Sequence, residues 1–231
     1  MTTWTDLSVL DARDRAWAAA RPTRAAAQKV ATGRALVRLV LGSLLDVDPR
    51  GVPLDRTCAV CGRAHGRPRH TPDGGAAFEV STSRAGDRGM LAVSTATAVG
   101  VDVERLRPVR AAARRARDLL PPTSADEVAR AMPGEAGPTL LRHWVRHEAL
   151  VKASTPGLPA GHRRVEVGDH VDPGRRVLRA GEPGPARGWW LGDVRVERGW
   201  VAAVTVRQVG AAPIQFRPLM DDAQAQPPRQ R

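Results

Sequence analysis

The chain has 231 residues, enough for one large domain or two packed halves with a real core. Its formal net charge of +12 calls for an anionic partner, which a nucleic acid, a phosphate-rich cofactor or an acidic protein would each satisfy. No run approaches the roughly 20 apolar residues a membrane span needs, MTTWTDLSVLDARDRAW carries no secretory h-region, and two cysteines make no disulfide framework, so a cytoplasmic protein is expected.

Residues 11–46 have helical composition, broken at Pro22, and 29–45 place Val30, Leu36, Val37, Val40 and Leu44 near helical spacing. A turn-rich loop, DRTCAVCGRAHGRPRHTPDGG, follows. Two strands are expected at 76–83 and 89–96, joined by RAGDR as a hairpin, and a third at 97–104. A basic helix is expected over 105–120, an N-cap signal stands in PPTSADEVARAM, and 138–154 reads as a strong amphipathic helix. The last third is strand-like up to GWVAAVTVRQ, and 220–231 has the composition of a disordered tail. Helical material followed by strands thus occurs twice. The expected fold is α+β, with two similar halves packed with pseudo-twofold symmetry, 1–104 and 105–219.

On the strand TAVGVDVE, alternation puts Val99, Val101 and Val103 on one face and Gly100, Asp102 and Glu104 on the other. Two carboxylates at that spacing suit a hard divalent ion, Mg²⁺ or Mn²⁺, and Gly100 is expected to leave room for a ligand. In WVRHEALVKA, Trp144, Glu148 and Lys152 share one helical face. As a surface pair, Glu148 and Lys152 would be worth only a few tenths of a kcal/mol. However, Lys152 is one of just two lysines in a chain that otherwise uses arginine, and Trp144 on the same stripe suggests a face turned toward protein.

G-V-D-V-E (100–104), followed some forty residues later by W-V-R-H-E-A-L-V-K (144–152), closely resembles the paired signature of the phosphopantetheinyl transferase superfamily, in its monomeric, surfactin-synthetase type. RPTRAAAQKVATGRALVR, DVDP, GRP (66–68), FEVSTS and GWVAAVTV extend the resemblance over most of 11–207. Two positions depart from the family pattern: Thr82 stands in place of a His in Ser-His-Ser, and His147 in place of a Lys.

The resemblance implies an enzyme that moves the phosphopantetheine arm of coenzyme A to a serine of an apo acyl, peptidyl or polyketide carrier protein. Asp102, Glu104 and Glu148 would hold the metal, and Glu148 and Lys152 would be catalytic. Arg34, Arg67, Ser81, Thr82, Lys152, Arg15 and Lys29 would bind CoA. The run RLRPVRAAARRAR (105–117), with six arginines, would face the acidic carrier, together with Val109, Leu119 and Leu120. A monomer is expected, with no membrane and no nucleic acid as partner.

Two other readings are a non-catalytic relative that binds CoA or carrier protein, and a basic nucleic-acid-binding protein, which lacks any RNA-binding or helix-turn-helix signature. In C-A-V-C-G-R-A-H, Cys58, Cys61 and His65, with His70 as a fourth group, have zinc-ligand spacing, although a reduced, metal-free loop is the expectation.

Overall fold

The computed structural model describes residues 6–58, 61–72, 77–95, 97–154, 165–167, 178–179 and 189–207. These form two compact units that divide between Pro53 and Leu54. The expected tail, 220–231, lies outside the described residues, as does much of the strand-like stretch after 154. No helix among the described residues is long and apolar enough to cross a membrane.

In the first unit, α1 (Ala12–Ala19) and α2 (Arg24–Leu45) are separated at Pro22, as the sequence suggests. Asp11 caps α1 by accepting from the Asp14 amide at 2.6 Å, and Thr23 caps α2 by accepting from the Ala26 amide at 3.1 Å. Val9, Leu10, Ala18, Ala31 and Ala35 form a small apolar cluster. Small side chains let the helices close, and a polar tie reinforces them: buried Asp14 takes Arg34 Nη1 at 2.6 Å and Arg38 Nε at 2.8 Å. Arg38 also pairs with Asp11 and donates to the Val52 carbonyl at 3.1 Å.

The second unit opens with two short strands, β1 (Leu54–Asp55) and β2 (Arg69–His70), then the hairpin β3 (Glu79–Ala85) and β4 (Arg88–Ser94). Together they make an antiparallel sheet in the order β1-β2-β3-β4. Gly86, at φ +53°, makes the hairpin turn expected in RAGDR. The strand β5 (Val99–Arg105) then begins a second antiparallel sheet with β8 (Trp189–Asp193) and β9 (Trp200–Arg207), in the order β5-β9-β8. A two-stranded pair joins β6 (Val165–Glu166) to β7 (Leu178–Arg179).

Three helices lie between β5 and β6: α3 (Ala112–Leu119), α4 (Pro122–Arg130) and α5 (Ala136–Ala153). The basic helix expected from 105 begins only at Ala112. Pro108 has no amide to donate, the Leu106 amide donates instead to the Gly199 carbonyl at 2.8 Å, and Ala111 is left-handed at φ +52°. Ala112, Ala116, Leu120, Ala125, Val128 and Leu140 hold the three helices together.

Both faces of the second sheet are covered. Val99, Val101 and Val103 pack with Val194, Ala202 and Val204, with Met90 and Ala92 of β4 against them. On the other face, α5 lays Val145, Ala149, Leu150 and Ala153 over Trp189, Leu191 and Ala203. Each fully buried Val or Leu here is worth roughly 1.5–3 kcal/mol. A bidentate ion pair, Arg146 Nε to Asp193 Oδ1 at 2.8 Å and Nη2 to Oδ2 at 2.6 Å, ties α5 to β8.

Gly100 lies under this helix, and the space expected there for a ligand is filled by α5. A Cβ on Gly100 would collide with the Ala149 carbonyl and come 2.7 Å from the Ala153 amide nitrogen. The glycine therefore permits backbone-to-backbone approach of strand and helix.

Candidate active site

That close approach brings the two sequence motifs together. Asp102 of β5 is buried at 5% exposure, and Lys152 in the last turn of α5 reaches across to it. Lys152 Nζ stands 2.6 Å from Asp102 Oδ1 and 3.3 Å from the Val101 carbonyl oxygen. The Ser83 hydroxyl donates to the same Oδ1 at 2.5 Å. Oδ2 is buried and has no hydrogen-bond partner among the described residues. One carboxylate oxygen is thus fully engaged while the other is held out of water without a partner, which is costly unless something binds it.

Burial pushes the Asp102 carboxyl above the usual carboxylate range, against the Lys152 ammonium and the Ser83 hydroxyl, and the Glu148 charge pushes it the same way as burial. Glu104 is likewise raised, by burial first and then by the Asp102 charge, with Arg107 opposing. Glu148 is half-buried on α5 between Trp144 and Lys152, which are half-buried as well, so the stripe does face protein. Carboxylates whose like charges push Asp102 and Glu104 upward fit a hard divalent cation, and the orphaned Oδ2 is the atom best placed to ligate one. The three carboxylates do not close to within 4.8 Å of one another. Among the described residues, only Cys58, Cys61 and His65 do that.

Behind Asp102, β3 and β5 run side by side, joined by side chains. The Val101 amide donates to Ser81 Oγ at 3.1 Å and the Val103 amide to Ser83 Oγ at 3.3 Å. Ser83 therefore serves both the β5 backbone and the carboxylate. It was not singled out in the sequence, although its alternation with Thr82 puts it on the face of Ser81. Thr82 is half-buried on the opposite face.

Arg67 closes the rear of the site. Its guanidinium donates to Val80 O at 2.7 Å, Lys152 O at 2.9 Å and Val99 O at 2.8 Å, and pairs with Glu79 at 3.0 Å. One side chain thus fastens β3, β5 and the C-terminal end of α5, whose last carbonyls need such donors. Burial lowers the Arg67 pKa.

The remaining expected CoA residues belong to the first unit. Arg34 is buried against Asp14 and lies 5.4 Å from the Trp17 ring centre, whereas Arg15 and Lys29 are exposed. Of the apolar residues expected in a docking face, Leu120 is buried and Val109 packs against the helical cluster; Leu119 alone of the three stays exposed. All six arginines of 105–117 are exposed. His70, offered by the sequence as a fourth zinc group, is buried against Phe78 and accepts that residue's amide through Nδ1 at 3.3 Å.

Comparison with known proteins points to the same chemistry. Residues 98–205, which hold β5, α5 and most of β9, match the profile of the 4'-phosphopantetheinyl transferase superfamily. The chain is also 27% identical over 193 residues to the 4'-phosphopantetheinyl transferase HetI of Nostoc sp. (strain PCC 7120 / SAG 25.82 / UTEX 2576), covering 80% of this chain and 73% of that relative. With Asp102 and Lys152 of the paired signature in direct contact, the chain belongs to the 4'-phosphopantetheinyl transferase superfamily and is an enzyme of that family.

Proposed function

We propose that this enzyme transfers the phosphopantetheine arm of CoA to a serine hydroxyl of an apo acyl, peptidyl or polyketide carrier protein, releasing adenosine 3',5'-bisphosphate. The observation that carries this reading is the divided Asp102 carboxylate, with Oδ1 held by Lys152 and Ser83 and Oδ2 buried without a partner.

Asp102, Glu104 and Glu148 would hold Mg²⁺, or Mn²⁺, which when bound neutralises charge on the CoA pyrophosphate. Glu148, directly or through a water, takes the proton of the carrier serine as its oxygen bonds to the β-phosphorus. The bond from that phosphorus to the nucleotide phosphate oxygen breaks, and the electron pair leaves with the adenosine bisphosphate. Two of the three Lys152 donors are engaged by Asp102 and Val101, which leaves the third for a phosphate oxygen of the transition state. Such reactions depend on positioning and charge more than on covalent help, and a fixed ammonium supplies both.

Arg15, Lys29 and Thr82 are proposed to contact the CoA nucleotide. Arg34, Arg67 and Ser81 belong to the same proposed set, and each already has a structural partner. The exposed arginines of 105–117 begin beside the carboxylates, since Arg107 lowers the Glu104 pKa, and they suit the acidic helix of a carrier protein. A duplicated architecture is part of the proposal. A long helix followed by an antiparallel hairpin occurs as α2 then β3-β4, and again as α5 then β8-β9, with the halves divided after Glu104 in a monomer.

The test is mass spectrometry of an apo carrier protein incubated with enzyme, CoA and Mg²⁺. One phosphopantetheine should be gained, and the gain lost with EDTA, Asp102→Ala or Lys152→Ala. No gain on peptidyl, polyketide and fatty-acid carriers alike overturns the reading.

A further inference from the structure

The loop before Arg67 gathers a second set of ligand atoms, of a different chemical kind. Cys58 Sγ, Cys61 Sγ and a His65 ring nitrogen all lie within 4.8 Å of one another, and Cys61 Sγ stands 2.8 Å from His65 Nε2. Neither cysteine is in a disulfide. The backbone holds this convergence without help from the metal-site carboxylates. The Cys58 amide donates to Arg63 O at 2.8 Å, the Gly62 amide to Cys58 O at 2.9 Å, and the His65 amide to Arg63 O at 2.9 Å. Gly62 takes φ +69°, which a side chain would resist, so the chain can turn back directly after Cys61. The neck of the loop is closed by the Gly66 amide on Arg56 O at 2.7 Å, where a Cβ would come 2.6 Å from the Thr57 carbonyl.

We propose that Cys58, Cys61 and His65 bind one zinc ion, with water at the fourth position. Two thiolates and an imidazole are the soft and borderline donors that select zinc over the hard ion suited to Asp102, Glu104 and Glu148. With Zn–S near 2.3 Å and Zn–N near 2.0 Å, a tetrahedral ion would hold Cys61 Sγ and His65 Nε2 about 3.5 Å apart. Opening the present 2.8 Å contact to that distance takes a small movement of two exposed side chains. Binding displaces protons from the two thiols, so affinity rises with pH. His70 is not a ligand, because its ring is buried against Phe78.

The site would fix the loop that delivers Arg67. Only Gly66 separates His65 from the guanidinium that fastens β3, β5 and the end of α5. The ion is therefore a structural clamp one residue away from the rear support of Lys152.

The experiment uses the full chain, purified under reducing conditions without chelator. Zinc content is measured by elemental mass spectrometry, affinity by competition with a chromophoric chelator, and coordination by the Co²⁺ spectrum of the substituted protein. The expected result is one equivalent of zinc and a thiolate-to-cobalt band from a tetrahedral site. Cys61→Ser and His65→Ala should each weaken binding at least tenfold, whereas His70→Ala keeps it. Both Cys61 and His65 are exposed, so circular dichroism should show these two variants folded. Substoichiometric zinc that Co²⁺ cannot replace, binding undiminished in both variants, or a Cys58–Cys61 disulfide under reducing conditions would each overturn the proposal.

Discussion

Lys152 Nζ and Asp102 Oδ1 lie 2.6 Å apart, joining the last turn of α5 to the middle of β5. Each residue decides what the other can do. Without the ammonium, a buried carboxylate already pushed upward by its surroundings would be raised further and would hold a cation poorly. Without the carboxylate, the ammonium loses the partner that aims it. Lys152→Ala and Asp102→Asn should each lower carrier-protein modification by about 10²-fold or more, the size of effect seen when a single transition-state charge partner is lost. Asp102→Asn should stay folded, because its amide oxygen can still accept from Ser83 and Lys152. Lys152→Arg should not restore the rate, since a planar fork cannot replace a compact ammonium in this position. Steady-state transfer with a single carrier protein, paired with thermal melts, separates loss of chemistry from loss of fold.

Gly100→Ala should destabilise the protein by about 3 kcal/mol, the upper end of ordinary overpacking, because the new methyl meets helix backbone instead of a side chain that could turn aside. A urea midpoint at unchanged slope measures it. A neutral substitution would mean that α5 does not sit on β5 as described.

Ser81→Ala and Ser83→Ala distinguish support from site. Each leaves a buried β5 amide without its acceptor, at a cost of about 1–3 kcal/mol. Only Ser83 also lowers the Asp102 pKa. Asp102 must be ionised to hold the cation, so Ser83→Ala should move the acid limb of the rate profile to higher pH. Ser81→Ala should leave that limb in place, and a shared shift in both variants would contradict the distinction.

His143 gives a pH signature of stability. It is buried at 2% exposure, and its pKa is held down to about 4 by burial, with Arg146 adding to the effect. The Asp193 charge pulls the other way but does not prevail. The folded pKa lies below the unfolded one, so the unfolded chain binds more protons between about pH 6.5 and 4, and stability falls as pH falls through that window. The loss is at most about 3 kcal/mol. His143→Gln should flatten the curve in chemical denaturation across that range.

Much of the site was legible because the carriers of chemistry sit at the periods of regular structure. Asp102 and Glu104 share a face through strand alternation, and Trp144, Glu148 and Lys152 share one through helical spacing. What periodicity cannot report is which surface an element meets. Gly100 looked like space for a ligand, and only the packed helix reveals that the space belongs to α5. Arg67 looked like a phosphate ligand, yet its donors are taken by carbonyls from three elements far apart in sequence, a pattern no local window contains. The late start of α3 has a local cause, Pro108, whose ring disfavours helical backbone at the residue before it.

The serine contacts between β3 and β5 have a last consequence. A strand at the border of a sheet normally exposes a row of amides and carbonyls that an unrelated chain can pair with, which is how many proteins aggregate. On β5, the Val101 and Val103 amides are already bound by hydroxyls, which cannot continue a ladder. The strand that carries the chemistry is thereby protected from adopting a foreign neighbour, at the border where its own backbone would otherwise invite one.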